Sequence, residues 1–449
     1  MKITRISVEK LFGVFDHNIE LTKNNSITII IGENGLGKTV ILESINAFFG
    51  KNFKFFFELK FQQFSFHFDT KETWHLTKEI KEGTITLFIS RDDHGAKSTS
   101  KTKPVKLAQE ITNPRNLHYR EMHIRDRDLL ERMEYENIRA HELHEQQMER
   151  LLWMQQRRIH ERYRYGEFYD QKDITPPKWY LDGIQKVNIR LIETQRIITV
   201  KEIGGDAYVN TVSNCSNELK NIITRAVQEA ADVTSSLDSS YPNRLIKKFK
   251  QSTQETFDQL NDELLKLDNR RKLLSSAGLV IDNQDSDLAK INEGQEGLIA
   301  LLKLYIEDSY KKLDPYEELS KKIQLFRGIV NKRFKHKTLE VNKDTGLTFR
   351  SKITKDELGK FAEFPSSKLS SGEQHELVLF YKLIFNSKAG DMILIDEPEL
   401  SLHISWQNKF IRDLKEVTSM NDVSIIIATH SPDIIDDNWD LRVELVGVE

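Results

Sequence analysis

The chain carries, near its amino terminus, a glycine-rich segment whose residue types suit phosphate binding. It reads Gly32-Glu33-Asn34-Gly35-Leu36-Gly37-Lys38-Thr39. The spacing fits G-x-x-x-x-G-K-[ST], in which backbone N–H groups and the start of a helix surround phosphate oxygens. An apolar run, Ile27–Ile31, precedes the segment and an apolar-periodic stretch, 40–49, follows it, which predicts a strand, a loop and a helix. In that setting we expect Lys38 to reach the outer phosphates and Thr39 to ligate Mg²⁺.

Two acidic residues, Asp396 and Glu397, follow the apolar run 392–395. Four consecutive apolar residues predict a strand that is buried on both faces, as in a parallel sheet. Side chains at the carboxyl end of such a strand enter the crevice where ligands bind. Because carboxylate oxygen suits a hard cation, we predict that Asp396 serves Mg²⁺ and that Glu397 polarises the attacking water.

A second buried run, Ser424–Ala428, ends two residues before His430. The imidazole could hydrogen-bond a γ-phosphate or the attacking water. A lone histidine is more often structural, but loops at strand ends commonly carry function. We therefore predict that His430 acts in catalysis with Lys38 and Glu397.

A serine-rich turn, Leu369-Ser370-Ser371-Gly372-Glu373-Gln374, precedes the apolar-periodic stretch 377–385. This pattern predicts another helix start, at which serine hydroxyls and backbone N–H groups could receive an anion. One chain would then carry two helix starts that suit phosphate.

In their order along the chain, these four segments resemble the ABC-type ATPase head of the SMC, RecF and RecN proteins. The resemblance implies an α/β fold, with a mixed sheet flanked by helices, an antiparallel β subdomain and long α-helical insertions. It implies ATP and Mg²⁺ as cofactors, with nucleotide contacts from the whole glycine-rich segment. It also implies a head-to-head homodimer, in which Ser370, Ser371, Gly372 and Glu373 of one protomer complete the site of the other. Gln62 or Gln63, in the strand-like stretch 61–68, would be a further Mg²⁺ ligand.

One departure from that head narrows the resemblance. Where transporters and SMC proteins usually show a small-residue loop, this chain reads Pro398-Glu399-Leu400-Ser401-Leu402-His403. The form is similar to ATPases of the overcoming-lysogenisation-defect type. With segments 1–8, 191–196 and 235–242, it is most similar to the ATPase subunits of PARIS-type two-gene anti-phage systems. His403 either contacts the opposite protomer or is a surface histidine on a turn.

The narrower resemblance implies a sensor and scaffold that holds and releases an effector nuclease of the TOPRIM family, encoded nearby. A phage protein would be the trigger, and a hexamer built from dimers is allowed. Only 19 residues follow His430, too few for a TOPRIM domain, so we expect no nuclease activity in this chain. The alternative function is a DNA-repair or DNA-maintenance ATPase that clamps duplex DNA directly. A transporter subunit is disfavoured by the long helical insertions.

Composition limits the partners and the compartment. The 449 residues have a net charge of −3, which argues against a protein that coats nucleic acid through bulk charge. Cys215 is the single cysteine, which excludes an internal disulfide. Neither a signal peptide nor an apolar run of about 20 residues is found, so we expect a cytoplasmic protein with no membrane partner.

The length between the motifs predicts two insertions in the head. We expect head segments at 1–110, 181–210 and 339–449, and helical insertions at 111–180 and 211–338. The first insertion interleaves Arg with acids and is either a partner-docking arm or a solvated helix laced by ion pairs. The second has predicted turns near Pro242, Gly278 and Pro315. Its basic clusters, 244–248 and 270–272, either contact nucleic acid or are solvated surface.

Overall fold

A computed structural model gives the fold. It describes residues 1–21, 26–81, 84–93, 100–111, 176–193, 201–202, 208–209, 211–250, 256–280, 296–400 and 402–447. The predicted arm, 111–180, lies outside these residues except for its two ends. The chain divides into two compact units, one of Met1–Asn24, Ile30–Ile189 and Val443–Glu449, and one of Asn25–Ile29 and Arg190–Arg442.

The described strands and helices have the following bounds. The strands are β1 Ile3–Leu11, β2 Phe15–Glu20, β3 Ile27–Ile31, β4 Gln63–Phe68, β5 Glu72–Lys81, β6 Thr84–Asp93, β7 Ser100–Lys101, β8 Val105–Ile111, β9 Ile189–Glu193, β10 Lys201–Glu202, β11 Tyr208–Val209, β12 Lys337–Asn342, β13 Gly346–Lys355, β14 Phe361–Phe364, β15 Met392–Asp396, β16 Ser424–Ala428 and β17 Arg442–Glu444. The helices are α1 Lys38–Phe49, α2 Phe53–Glu58, α3 Lys178–Ile184, α4 Thr211–Phe249, α5 Phe257–Ser276, α6 Glu296–Leu313, α7 Glu317–Arg333, α8 Ser371–Phe385, α9 Ile404–Asn421 and α10 Pro432–Ile435.

The first unit contains a seven-stranded antiparallel sheet with the order β2-β1-β4-β5-β6-β7, in which β8 also pairs with β6. Its strands alternate in polarity, so one face is apolar. On that face Phe66 pairs across the strands with Ile6 and Trp74. The ring of Phe48 on α1 stacks on Phe66 at 4.5 Å, and the hydroxyl of Tyr180 on α3 donates to the Phe48 carbonyl at 2.6 Å. The sheet and these two helices therefore share one aromatic core.

A five-stranded sheet has the order β17-β3-β16-β15-β9. Strands β15 and β16 are parallel, with Asp396 opposite Ala428. Their central residues are buried, which explains why both sequences are continuously apolar. Both strands therefore deliver the residues that follow them to the same edge of the sheet.

Long helices make up much of the second unit. In α4 the buried residues recur every three or four positions, so the helix has one apolar stripe; they are Thr211, Val212, Cys215, Leu219, Ile223, Ala226 and Ala230. Leu260 and Leu264 of α5 pack with Ile306 of α6. The predicted turns at Gly278 and Pro315 are confirmed, because α5 ends at Ser276 and Asp314–Tyr316 is a short 3₁₀ turn.

The turn predicted near Pro242 is wrong, because α4 continues through this residue. Proline removes one backbone donor from a helix and usually interrupts it. Here side chains donate to carbonyls one turn earlier. The Ser240 hydroxyl donates to the Ser236 carbonyl at 2.9 Å, and the Arg244 guanidinium donates to the Leu237 carbonyl at 2.8 Å. Proline lacks the N–H that would donate to the Asp238 carbonyl, yet the helix continues past this position.

The architecture confirms the predicted fold class. The described residues form an α/β structure with a parallel strand pair in the five-stranded sheet, an antiparallel β subdomain and long helical insertions. In the described part of the chain, no helix has the length and apolar character to cross a membrane.

Candidate functional site

The glycine-rich segment forms the predicted loop between β3 and α1. Gly37 is the residue before α1 and has a φ of 90°, in the region where only glycine is unstrained. A Cβ at Gly37 would also lie 2.6 Å from Leu11 Cδ2, closer than real side chains approach. The backbone angle therefore favours glycine here, and a Cβ would in addition displace the Leu11 side chain.

Lys38 lies in this loop as the sequence predicts. It is buried, and its ammonium donates to the carbonyl oxygens of Gly32 at 2.9 Å and Glu33 at 3.0 Å. A buried charge needs such partners to offset its desolvation. Thr39, the second residue of α1, is half-buried beside it. The loop thus surrounds a positive charge at the start of a helix, which is a setting suited to phosphate.

His17 also supports this loop, a contact that no sequence motif indicates. The residue is buried on β2, and its Nε2 donates to the carbonyl oxygen of Leu36 at 2.9 Å. Burial lowers the pKa of His17, although the Leu36 carbonyl and Asp16 act in the opposite direction. The neutral ring is therefore favoured, with the proton on Nε2. An isolated histidine in an alternating strand carries no motif that would reveal this contact.

The second unit brings Glu397 and His430 together. Glu397 follows β15, has a φ of 44° and donates its N–H to the carbonyl of Ala428 at 2.9 Å. His430 follows β16, and its Nε2 lies 3.9 Å from Glu397 Oε1. The predicted base and the predicted histidine are therefore neighbours. Asp396, the last residue of β15, is half-buried at the same sheet edge.

Glu399 joins these two strand ends, and its role was not predicted. Its Oε1 accepts the backbone N–H of His430 at 2.8 Å, and its Oε2 accepts the hydroxyl of Thr429 at 2.8 Å. A second link is made by Gln407, whose Oε1 accepts the Ser431 hydroxyl at 2.9 Å. The only sequence signal was an acid in the segment that departs from the usual head.

Ser370 caps α8, as the serine-rich turn predicts. Its hydroxyl accepts the N–H of Glu373, and the Glu373 carboxylate accepts the N–H of Ser370 at 2.8 Å. Lys337 also donates to Glu373, at 2.6 Å. Burial opposes ionisation of Glu373, but the hydrogen bonds from Lys337 and Ser370 outweigh it and lower the pKa of the carboxyl. The helix start is thus built by a reciprocal cap, with Ser371 and Gly372 in its first turn.

The remaining candidates have structural contacts of their own. The amide of Gln63 donates to Ser65 Oγ at 3.0 Å and lies 3.1 Å from His75 Nδ1, whereas Gln62 is exposed. His403 caps α9, because its Nδ1 accepts the N–H of Ser405 at 3.2 Å. Their roles in Mg²⁺ binding and in subunit contact remain predictions.

Two solved SMC head domains are similar to the chain. One comes from Pyrococcus furiosus, has an extended coiled coil and is bound to the C-terminal domain of ScpA. It is 12% identical, with a TM-score of 0.35, and the match covers 97% of this chain and 91% of that chain. The head domain from Thermotoga maritima is 11% identical, with a TM-score of 0.33, and the match covers 100% of both chains. No curated protein matches the chain.

The family described as the AAA ATPase domain matches residues 1–435 of the 449. This match includes the glycine-rich loop, the capped helix α8, the strand-end acids and His430. An ATPase domain implies that nucleotide is bound. The chain therefore belongs to the AAA ATPase domain family and is an ATPase.

Proposed function

We propose that this ATPase is the sensor and scaffold subunit of an anti-phage defence complex. ATP-dependent pairing of its heads would hold an effector nuclease, and hydrolysis or a phage trigger would release it. The observation that carries the pairing is the presence in one chain of two helix starts suited to phosphate. One is the glycine-rich loop before α1, and the other is the Ser370 cap of α8.

The residues of the glycine-rich loop are proposed to bind the phosphates of ATP, with Lys38 on the outer ones. Thr39 and Asp396 would ligate Mg²⁺, which would offset charge on the nucleotide. Glu397 would polarise the attacking water, and His430 would contact that water or the γ-phosphate. Strands β3, β16 and β15 are neighbours in one sheet, and each is followed by residues of this group.

Pairing of two chains is proposed to bring Ser370 and Gly372 of one protomer to the γ-phosphate of the other. The segment after the strand-end acids supports a contact surface there. Leu400 is 61% exposed and Ile404 is 67% exposed, on either side of His403. Exposed apolar side chains beside catalytic residues fit a surface that a partner covers. Such pairs form a homodimer, and a hexamer can be built from them.

The defence role rests on the resemblance of segment 398–403 and the other quoted segments to AriA, the ATPase subunit of PARIS-type systems. By that resemblance, the effector is a TOPRIM-family nuclease encoded nearby, and this chain cuts no nucleic acid itself. The cytoplasm is the proposed compartment. Purification of the Glu397→Gln variant with ATP and Mg²⁺ should co-isolate a nuclease. Isolation of the ATPase alone, from cells that express the neighbouring genes, would contradict the scaffold role.

The alternative function, a DNA-clamping ATPase, receives less support from the described surface. The two basic clusters in question are occupied by ion pairs within the chain. Arg244 binds Asp308, Lys248 binds Glu307 at 2.7 Å, and Arg270 binds Asp314 and Glu317. Basic side chains that are already paired with carboxylates gain less free energy from binding the phosphates of a nucleic acid. Tight DNA binding by the isolated protein, falling steeply with salt, would favour this alternative.

Nucleotide chemistry is tested by two variants. Lys38→Ala should lose both ATP binding and hydrolysis, because it removes the charge within the loop. Glu397→Gln should keep ATP binding and lose about 10²–10⁴ in hydrolysis rate, as expected for removal of a general base. Isothermal titration calorimetry measures ATP binding, and phosphate release measures hydrolysis. Full hydrolysis by Lys38→Ala would exclude the proposed phosphate site.

A further inference from the structure

We infer that Glu399 is a positioning residue for hydrolysis, acting through His430. Its carboxylate fixes the turn after β16 so that the imidazole of His430 faces the reacting phosphate. This inference rests on the proposed catalytic role of His430 and deepens it.

The carboxylate of Glu399 binds two consecutive residues of that turn. One oxygen accepts the His430 N–H and the other accepts the Thr429 hydroxyl, both at 2.8 Å. Hydrogen bonds to an ionised carboxylate are stronger than those between neutral groups. Thr429 is fully buried, so one of the two bonds lies away from water. The turn is therefore held by both oxygens at once.

The residues just before Thr429 and just after His430 are also hydrogen-bonded. The Glu397 N–H donates to the Ala428 carbonyl, and the Ser431 hydroxyl donates to Gln407. The His430 side chain is 34% exposed, and its Nε2 lies 3.9 Å from Glu397 Oε1. Glu399 binds directly the backbone that carries this imidazole.

Glu399 differs from Glu397 in what its carboxylate does. Both Glu399 oxygens accept bonds from the turn, whereas Glu397 Oε1 lies near the imidazole of His430. A displacement of about 1 Å at a catalytic group can cost about 100-fold in rate. Loss of Glu399 should therefore act on the chemical step. Binding of ATP by the glycine-rich loop should change little.

The first test compares Glu399→Ala, Glu399→Gln and an exposed control on α9, Glu416→Ala, by steady-state hydrolysis. We expect Glu399→Ala to lower kcat by about 10- to 100-fold, with the KM for ATP within about twofold of the parent. Glu399→Gln keeps one acceptor oxygen and should recover part of the loss. Glu416→Ala should match the parent. A parental kcat in Glu399→Ala would overturn the inference.

A double-mutant cycle separates positioning from general support of the fold. If Glu399 acts through His430, then Glu399→Ala should lower kcat by less than about twofold in a His430→Ala background. If the two single-variant losses in kcat multiply in the double variant, the inference is overturned. If Glu399→Ala does not fold, the same cycle with Glu399→Gln gives the answer. If His430→Ala alone keeps a parental kcat, the proposed role of His430 fails first.

Discussion

At the scale of single residues, Glu397, the proposed base, has an unfavourable backbone angle. Its φ of 44° lies in the left-handed region, which costs an ordinary residue about 1–2 kcal/mol. Asparagine tolerates this region better than glutamate or glutamine does. We expect Glu397→Asn to have a free energy of unfolding up to about 1 kcal/mol above that of Glu397→Gln, although both lack the carboxylate.

Urea unfolding of the two variants measures this difference, and phosphate release measures the chemistry. Both variants should be poor catalysts, because neither carries the base. Equal free energies of unfolding would show that position 397 is not strained in solution.

His17 gives the protein a predicted dependence of stability on pH. Burial lowers its pKa below the ordinary value of 6.5. Below that pH the unfolded chain binds a proton that the folded chain does not, so the free energy of unfolding decreases as the pH falls. The slope from one such group is at most about 1.36 kcal/mol per pH unit. His17→Gln, which keeps a donor for Leu36 but does not titrate, should show a shallower slope.

Urea unfolding between about pH 5 and pH 7.5 tests this prediction. An unchanged slope in His17→Gln would mean that other groups set the pH dependence.

The residues that could be predicted from sequence are those whose chemistry dictates their type and spacing. Gly37 and Lys38 follow from the geometry of a phosphate loop, and Glu397 follows from its place after an apolar strand. His17 and Glu399 could not be predicted in the same way. Each contacts one backbone turn that only the folded chain brings near, and many polar residues could make such bonds.

At the scale of elements, three helices of the second unit are joined by one buried arginine. Arg333, at the end of α7, binds Glu376 of α8 and Asp413 of α9. All three side chains are almost fully buried, and the guanidinium also lies 4.7 Å from the Phe380 ring. Removal of the arginine would leave the two carboxylates buried without their cation. We expect Arg333→Ala to lower the free energy of unfolding by about 3–5 kcal/mol.

A matched control is the ion pair of Glu318 and Lys322 on α7, whose carboxylate lies at the surface. Glu318 has 82% of its side chain exposed, and surface pairs of this kind contribute about 0–1 kcal/mol. Chemical unfolding of Arg333→Ala and Glu318→Ala should therefore give very different losses. Similar losses in the two variants would show that the buried cluster is not a major source of stability.

Strands and helices could be predicted from sequence where the apolar pattern is clear. The buried strands β15 and β16 follow from their continuous apolar runs, and α8 follows from its capped start. The continuation of α4 through Pro242 could not be predicted, because local propensity favours a break at proline. Beyond the proline, Arg244 and Lys248 of α4 bind Asp308 and Glu307 of α6, which are contacts that local propensity does not include.

At the scale of the whole molecule, the two compact units carry different motifs. The glycine-rich loop belongs to the first unit, and the strand-end acids, His430 and the capped helix α8 belong to the second. The family and the fold class could be predicted from motif order and apolar runs. Pairing of two chains depends on the fit of whole surfaces, so it stays a proposal.

The most direct test of that proposal mixes two inactive variants. Lys38→Ala lacks the cation of the loop, whereas Gly372→Glu places a negative charge where the partner's γ-phosphate is proposed to bind. Gly372 has open space at its Cβ position and does not have a positive φ, so Gly372→Glu should fold normally. Each variant alone should hydrolyse ATP poorly. A chain that carries both substitutions is the control.

If the site is shared between protomers, mixed dimers contain one intact site, made from the loop of Gly372→Glu and the capped helix of Lys38→Ala. Phosphate release by the refolded or co-expressed mixture should then recover to about one quarter of the parental rate, the statistical yield of a two-fold dimer. Mixtures that include the doubly substituted chain should recover nothing. A mixture no more active than the sum of its two variants would contradict a site completed in trans.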